Sequence, residues 1–165
     1  MKVGILTVSD KGARGEREDR SGPALRKMMA DEGAEVVRTK VVPDEPDDIK
    51  EVLVAWTDEG LDLVLTTGGT GFSPRDWTPE ATLDVIEREA PGIAEAMRRE
   101  GTEKTPMAML SRGVAGIRKS TLIINLPGSE KGAREGLEAI MEALPHGIEI
   151  LRGEAGECGH PRRKG

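Results

Sequence analysis

Aromatic residues are nearly missing from this chain of 165 residues, which has two tryptophans, one phenylalanine and no tyrosine. With only Trp56, Phe72 and Trp77, it offers no stacking platform for single-stranded nucleic acid. Cysteine is scarcer still. Cys158 stands alone, which excludes an internal disulfide framework and fits a reducing compartment. Together with His146 and His160 it supplies too few ligands for a closed zinc site, so Cys158-Gly159-His160 reads as a surface tail. No apolar stretch approaches the ~18 residues of a membrane span. Strand-forming residues begin at Val3, so no secretory leader is expected and the expected setting is cytoplasmic. Positive charge is also short. The 24 Lys and Arg face 30 Asp and Glu, a formal net charge of −6, whereas nucleic-acid binding rests on a basic surface.

What is abundant is glycine: 21 residues, about 13% of the chain against a usual ~7%. The length suits one domain with a real core, expected over residues 1–152, followed by a Gly- and charge-rich extended tail over 153–165. Val3 to Val8, Leu61 to Thr67 and Thr121 to Leu126 are short, continuous apolar runs that read as buried strands. Glu35 to Val42 alternates loosely and suits another, and Val114 to Ile117 forms a hairpin arm turned by Arg118-Lys119-Ser120. Between the strands lie helical patterns. One starts at Ser21 as N-cap and carries Leu25, Met28 and Met29 up to Gly33. Another opens at Pro46, with Ile49, Val52, Leu53 and Trp56 at i, i+3, i+4 and i+7. Thr78-Pro79 forms a cap and first-turn pair for a helix bearing Leu83, Val85 and Ile86. Pro91-Gly92 starts the next, through Ile93, Ala94 and Met97. The last follows Ser129, with Leu137, Ile140, Met141 and Leu144 on one face. Such βα alternation predicts a three-layer α/β/α fold, its mostly parallel sheet flanked by helices on both faces.

Ligands of open α/β sheets bind beyond the carboxyl ends of the strands. Three strand ends here are polar and glycine-rich: Ser9-Asp10, leading into the charged segment Lys11 to Arg20; Thr66-Thr67-Gly68-Gly69-Thr70-Gly71; and Asn125-Leu126-Pro127-Gly128-Ser129. Successive backbone N–H groups in such turns, with a helix dipole behind them, suit phosphate. Neither common phosphate signature is present. No lysine follows the central glycines as a P-loop requires, and Gly69-Thr70-Gly71 runs on into Phe72-Ser73-Pro74 rather than G-x-G-x-x-G. A P-loop kinase and a dinucleotide dehydrogenase are therefore disfavoured.

Carboxylates are the second clue. With Thr78 as cap, Asp76 is free either to face the cleft or to pair with Arg75. Asp44, in Pro43-Asp44-Glu45-Pro46, reads by itself as a helix cap. Together the two carboxylates suit a Mg²⁺ held by few protein oxygens plus ligand phosphates. Arg75, Arg112 and Ser111 supply positive charge and a hydroxyl. Met107 and Met109 read as fillers of core gaps. Phe72 and Trp77 flank the central loop, as a wall for a flat ligand or as the floor of the loop.

These residues resemble a known family. Thr66 to Gly71, Pro74-Arg75-Asp76, Thr78-Pro79-Glu80-Ala81-Thr82, Met109-Leu110-Ser111-Arg112 and Asn125-Leu126-Pro127-Gly128 are similar to the Mog/MoaB-type molybdopterin adenylyltransferases of molybdenum cofactor biosynthesis. The likeness runs from Gly4 to about Leu151. Trp77 departs from it, standing where the family carries a small β-branched residue. The resemblance implies AMP transfer from ATP to the phosphate of molybdopterin, with Mg²⁺, in a homo-oligomer, a trimer or possibly a hexamer. It also implies a partner protein that inserts molybdate into the product. The family's catalytic, metal-associated carboxylates fall on Asp44 and Asp76. Its ligand contacts fall on Asp10, the Gly68 to Gly71 loop, Ser111 and the Asn125 to Gly128 turn. Two other readings stand beside this one: a non-catalytic molybdopterin-binding module, and a phosphohydrolase that needs no pterin acceptor.

Overall fold

The computed structural model describes residues 1–154. The expected tail after Glu154, with Cys158 and His160, lies outside the described residues. Among the described residues six strands form one sheet: β1 (Lys2–Val8), β2 (Glu35–Val42), β3 (Leu63–Thr67), β4 (Arg88–Glu89), β5 (Ala115–Arg118) and β6 (Thr121–Leu126). Their order is β2-β1-β3-β6-β5-β4. The first four in that order run parallel, and β5 is antiparallel to both its neighbours.

Alternation along the central strands divides two cores. Val3, Ile5, Leu63, Leu65, Leu122, Ile124 and Leu126 face one side, where they meet α2 (Ser21–Asp31), α6 (Glu130–Ile140) and α7 (Leu144–Leu151). Leu6, Val8, Val64 and Ile123 face the other, against α3 (Pro46–Asp58) and α4 (Thr78–Val85). Strands buried on both faces must be apolar at every position, which is why they read as unbroken runs. The four expected positions of α3, Ile49, Val52, Leu53 and Trp56, are all buried. The short α1 (Asp10–Ala13) and the longer α5 (Pro91–Lys104) complete the helices, and a 3₁₀ turn spans Pro106–Leu110. No described helix is long and apolar enough to cross a membrane.

Several local expectations fail. Ser21 does not cap α2. The cap position is Arg20, and the Asp19 carboxylate accepts the N–H of Gly22 at 3.0 Å in its place. The face of α4 is Pro79, Ala81, Thr82 and Val85, while Leu83 is exposed. The last helical pattern is not one helix. It breaks at Met141–Ala143 and restarts at Leu144, with Pro145 in the first turn of α7. Met107 and Met109 fill no core gap, being 64% and 62% exposed. The two-residue β4, invisible as a pattern, exists because Arg88 and Glu89 pair with the edge strand β5.

Candidate functional site

The parallel register brings three strand ends to one edge. Thr7 pairs with Thr67 and Thr67 with Leu126, so the turns after β1, β3 and β6 stand side by side. The end of β2 joins them through Val8 and Val42. The central turn is built for close approach. Gly68 and Gly69 have φ of +102° and +68°. A Cβ on Gly68 would stand 2.2 Å from the Val8 carbonyl oxygen. Gly128 also passes close, its absent Cβ 3.2 Å from the Gly68 Cα. These turns can therefore present backbone rather than side chains.

Two adjoining cavities open there. The first, about 730 Å³, is polar: its wall includes Ser9, Arg17, Asp19, Asp44 and Ser129. The second, about 470 Å³, is more apolar and runs along α5 and the 3₁₀ turn past Met97, Met107 and Leu110. Gly69, Asp76, Gly128 and Ser129 belong to both walls. Of the sequence candidates, Ser9, Asp44 and Gly68 line the first only. Thr70, Gly71, Ser111, Asn125 and Pro127 line the second only. Asp10, Arg75 and Arg112 line neither.

Those three are engaged elsewhere. The Arg75 guanidinium donates to both Asp10 oxygens at 2.9 Å and to Glu45 at 2.8 Å. The expected Arg75–Asp76 pair does not form. Arg112 donates from Nε to the Gly71 carbonyl at 2.8 Å and from Nη2 to the Asp76 carbonyl at 2.7 Å, and also pairs with Glu80. Asn125 is buried in a polar network. Its Oδ1 accepts from the Val114 N–H, and its Nδ2 donates to the hydroxyls of Thr66 and Thr82 at 3.0 and 2.9 Å. Ser9 and Ser129 cap α1 and α6, accepting N–H bonds from Gly12 and Gly132.

Asp44 is not a cap. The cap position of α3 is Glu45, and the Asp44 carboxylate accepts the Asp10 N–H at 2.8 Å. Burial, reinforced by Asp10 and Asp76 nearby, raises its pKa above the ordinary carboxylate value. Asp10 moves the opposite way, held down chiefly by its hydrogen bonds from Arg75. Thr78 is not a cap either. It is the first residue of α4, and its hydroxyl is buried with no partner among the described residues. That orphan oxygen lies beside Asp44, since the position of a Gly69 Cβ would be 2.3 Å from Thr78 Oγ1 and 3.3 Å from Asp44 Oδ1.

No group of three or more Asp, Glu, His or Cys side chains among the described residues could hold a metal ion. Asp44 and Asp76 offer hard carboxylate oxygens on the wall of the first cavity, which fits a magnesium ion completed by ligand phosphates and water. Burial chiefly, with the Asp10 and Asp76 carboxylates adding to it, disfavours the charged form of Asp44, and a bound cation would favour that form. Phe72 is 70% exposed, which does not fit a floor beneath the loop, and Trp77 is about half exposed at 48%. Trp77 is tethered to its loop by an indole N–H bond to the Pro74 carbonyl at 3.1 Å.

Sequence reasoning passed over Glu80, Glu45 and the α5 contribution to the second cavity. Gly101 was the available signal. A glycine inside a helix marks close approach, and its Cβ would stand 2.7 Å from the Ala108 Cβ of the 3₁₀ turn.

Residues 4–146 match the family model described as a probable molybdopterin binding domain. Gephyrin of Dictyostelium discoideum is 46% identical over 159 residues, covering 90% of this chain and 22% of that protein. The chain spans about a quarter of the length of the first curated relatives it matches. A molybdopterin adenylyltransferase of Helicobacter pylori strain J99 is 42% identical over 156 residues, covering 93% of this chain and 89% of the relative. The crystal structure of the molybdopterin biosynthesis enzyme MoaB from Thermus thermophilus aligns with a TM-score of 0.88 at 60% identity. That alignment covers 92% of this chain and 96% of the other.

Proposed function

This chain belongs to the Mog/MoaB family of molybdopterin-binding proteins, and from that premise we propose that it is a molybdopterin adenylyltransferase. In this reaction a terminal phosphate oxygen of molybdopterin attacks the α-phosphorus of ATP. The bond from that phosphorus to the bridging oxygen breaks, and pyrophosphate leaves with the electron pair. Adenylylated molybdopterin is the product.

One observation carries the reading. The two cavities share a wall made of Gly69, Asp76, Gly128 and Ser129. Two phosphate-bearing reactants, one in each cavity, would meet at that wall. Both are anions, so catalysis is chiefly positioning and charge neutralisation. The Gly68 N–H is given to the Leu126 carbonyl, so the N–H groups of Gly69 to Gly71 and the N-terminus of α6 supply the donors for phosphate. Asp44 and Asp76 would hold Mg²⁺, which when bound draws charge from the triphosphate. No activated serine, cysteine or histidine is needed: Ser129, the serine of the shared wall, is engaged in capping α6.

The wider setting follows the family: a homo-oligomer (trimer or hexamer) in the cytoplasm, passing its product to a molybdate-inserting partner. The exposure of Phe72, Met107 and Met109 supports assembly, which sedimentation would test.

Pyrophosphate release, with ATP and Mg²⁺ and with or without molybdopterin, tests the activity. Release only in the presence of molybdopterin is expected. ATP consumption without the acceptor would mark a phosphohydrolase, and no release in either case would mark a binding module.

A further inference from the structure

Arg112 is separated in sequence from every residue its side chain holds, yet it grips the whole loop that carries Asp76. Its backbone N–H donates to the Thr70 carbonyl at 2.8 Å. Its guanidinium reaches the carbonyls of Gly71 and Asp76, at 2.8 and 2.7 Å. Those are the two ends of a single excursion of the chain, Gly71 to Asp76. The third contact, to Glu80, anchors the guanidinium on the first turn of α4. Within the excursion, the Asp76 carboxylate accepts the Ser73 N–H at 3.0 Å and the Asp76 N–H meets the Ser73 carbonyl at 2.9 Å. The loop has no buried apolar side chain of its own, since Phe72 is largely exposed. Its order must come from polar contacts.

The other end of the lever lies in the second cavity. Ser111 and Gly113, on either side of Arg112, line that cavity. Their carbonyls accept from Arg98 Nη1 at 3.2 and 2.8 Å, which fixes the backbone there to α5.

We propose that Arg112 is a positioning residue, whose guanidinium fixes the Gly71 to Asp76 loop so that the Asp76 carboxylate stands in the wall between the two cavities. The role is distinct from supplying charge to a bound phosphate. It depends on three divergent donors in one rigid plane, an arrangement that lysine does not reproduce. The inference deepens the adenylyl-transfer reading and rests on it for the role of Asp76.

The test uses Arg112→Lys in the full chain. AMP transfer is expected to fall by roughly tenfold to a hundredfold in kcat, the scale of a misplaced reacting group, with KM for ATP nearly unchanged. Hydrogen exchange provides a readout that needs no turnover. The Ser73 and Asp76 amides are expected to exchange faster in the variant, while those of the β3 and β6 core keep their protection. Near-wild-type kcat in Arg112→Lys would overturn the proposal, because charge alone would then suffice. Unchanged exchange at Ser73 and Asp76 would overturn it too. If Arg112→Lys fails to fold, Glu80→Gln takes its place, loosening the anchor behind the guanidinium, and the same two readouts apply. A wild-type protein that transfers no AMP would refute the adenylyl-transfer reading and leave the exchange experiment to decide the loop's dependence on Arg112.

Discussion

Asp10 and Asp44 each accept the other's backbone N–H, at 2.9 and 2.8 Å, and so close a bracket between the ends of β1 and β2. The two carboxylates are not equivalent. Asp10 is also neutralised from outside by the bidentate Arg75. Asp44 has no such partner, is more deeply buried, and faces Asp76 as well as Asp10. One acid of the pair is spent on structure. The other is left with charge for a cation.

Asparagine at either position of the proposed metal pair preserves shape and removes one negative ligand. Asp44→Asn can still accept the Asp10 N–H, so the bracket survives. By comparison with other preorganised electrostatic sites, turnover should fall about a hundredfold or more, ~3 kcal/mol. Molybdopterin affinity should change little, since a phosphate prefers N–H donors and cations to a carboxylate. Single-turnover AMP transfer checks this. Near-normal rates in both Asp44→Asn and Asp76→Asn would remove the carboxylates from the mechanism.

The opposed pKa directions give opposed pH signatures. Asp44 is raised in the folded protein. It has no effect below the unfolded pKa and costs stability once pH exceeds the folded value. Asp44→Asn should therefore raise Tm relative to wild type near neutral pH and lose that advantage in strong acid. Asp10 is lowered. Its stabilisation is full above the unfolded pKa and disappears as pH falls through the folded one. Asp10→Asn should lower Tm near neutrality and converge on wild type in strong acid. Thermal melts across pH, without Mg²⁺, distinguish the two. The same sign in both variants would contradict the assignment.

The strands and the cleft were legible in the chain because they rest on short-range regularity. Thr121–Leu126 is a strand with the bounds its apolar run suggests, and the three glycine turns do share an edge. What could not be read depends on partners far away in sequence. Ser21, Asp44 and Thr78 all look like caps locally. Asp44 is instead recruited by the N–H of Asp10, 34 residues away; the α2 cap is the exception, taken by Asp19 only two residues before Ser21. Arg75 next to Asp76 looks like an ion pair, but Asp10 and Glu45 offer it better geometry. Arg112 resembles a cation for phosphate until the loop folds around it. Both arginines are long enough to reach carboxylates 30 or more residues away.

The two left-handed glycines of the central turn, Gly68 and Gly69, should differ in their tolerance of a methyl group. Alanine at Gly69 meets the Thr78 hydroxyl, the end of a side chain, at φ of +68°. The left-handed conformation costs a non-glycine residue roughly 1–2 kcal/mol. Alanine at Gly68 meets the Val8 carbonyl oxygen itself, at φ of +102°. There the end of β1 must move, and with it the bracket to Asp44. Urea melts should rank Gly68→Ala as the more damaging change. The reverse order would mean that the Val8 carbonyl yields more readily than the hydroxyl.

Trp77 provides an optical probe of the Asp76 loop, because its indole N–H is bonded to Pro74, just before Asp76 in the chain. The other tryptophan, Trp56, is buried against Gly4 on the far side of the sheet from α6, where an added Cβ would lie 2.6 Å from its ring. Replacing it as Trp56→Phe leaves Trp77 as the sole emitter and opens some space in the α3 core. Trp77 is about half exposed, so any change in the loop's packing alters the water around the ring and shifts its emission. Mg²⁺ with ATP should shift the Trp77 spectrum if the loop carrying Asp76 takes part in binding. The shift should shrink in Trp56→Phe/Asp76→Asn, where one anchor for the cation is gone. Molybdopterin alone should also perturb it if it enters the apolar cavity bordered by Gly71. Emission that stays constant at saturating concentrations of both ligands would place the loop outside the reacting site, and the case for Asp76 as a metal-holding carboxylate would fall with it.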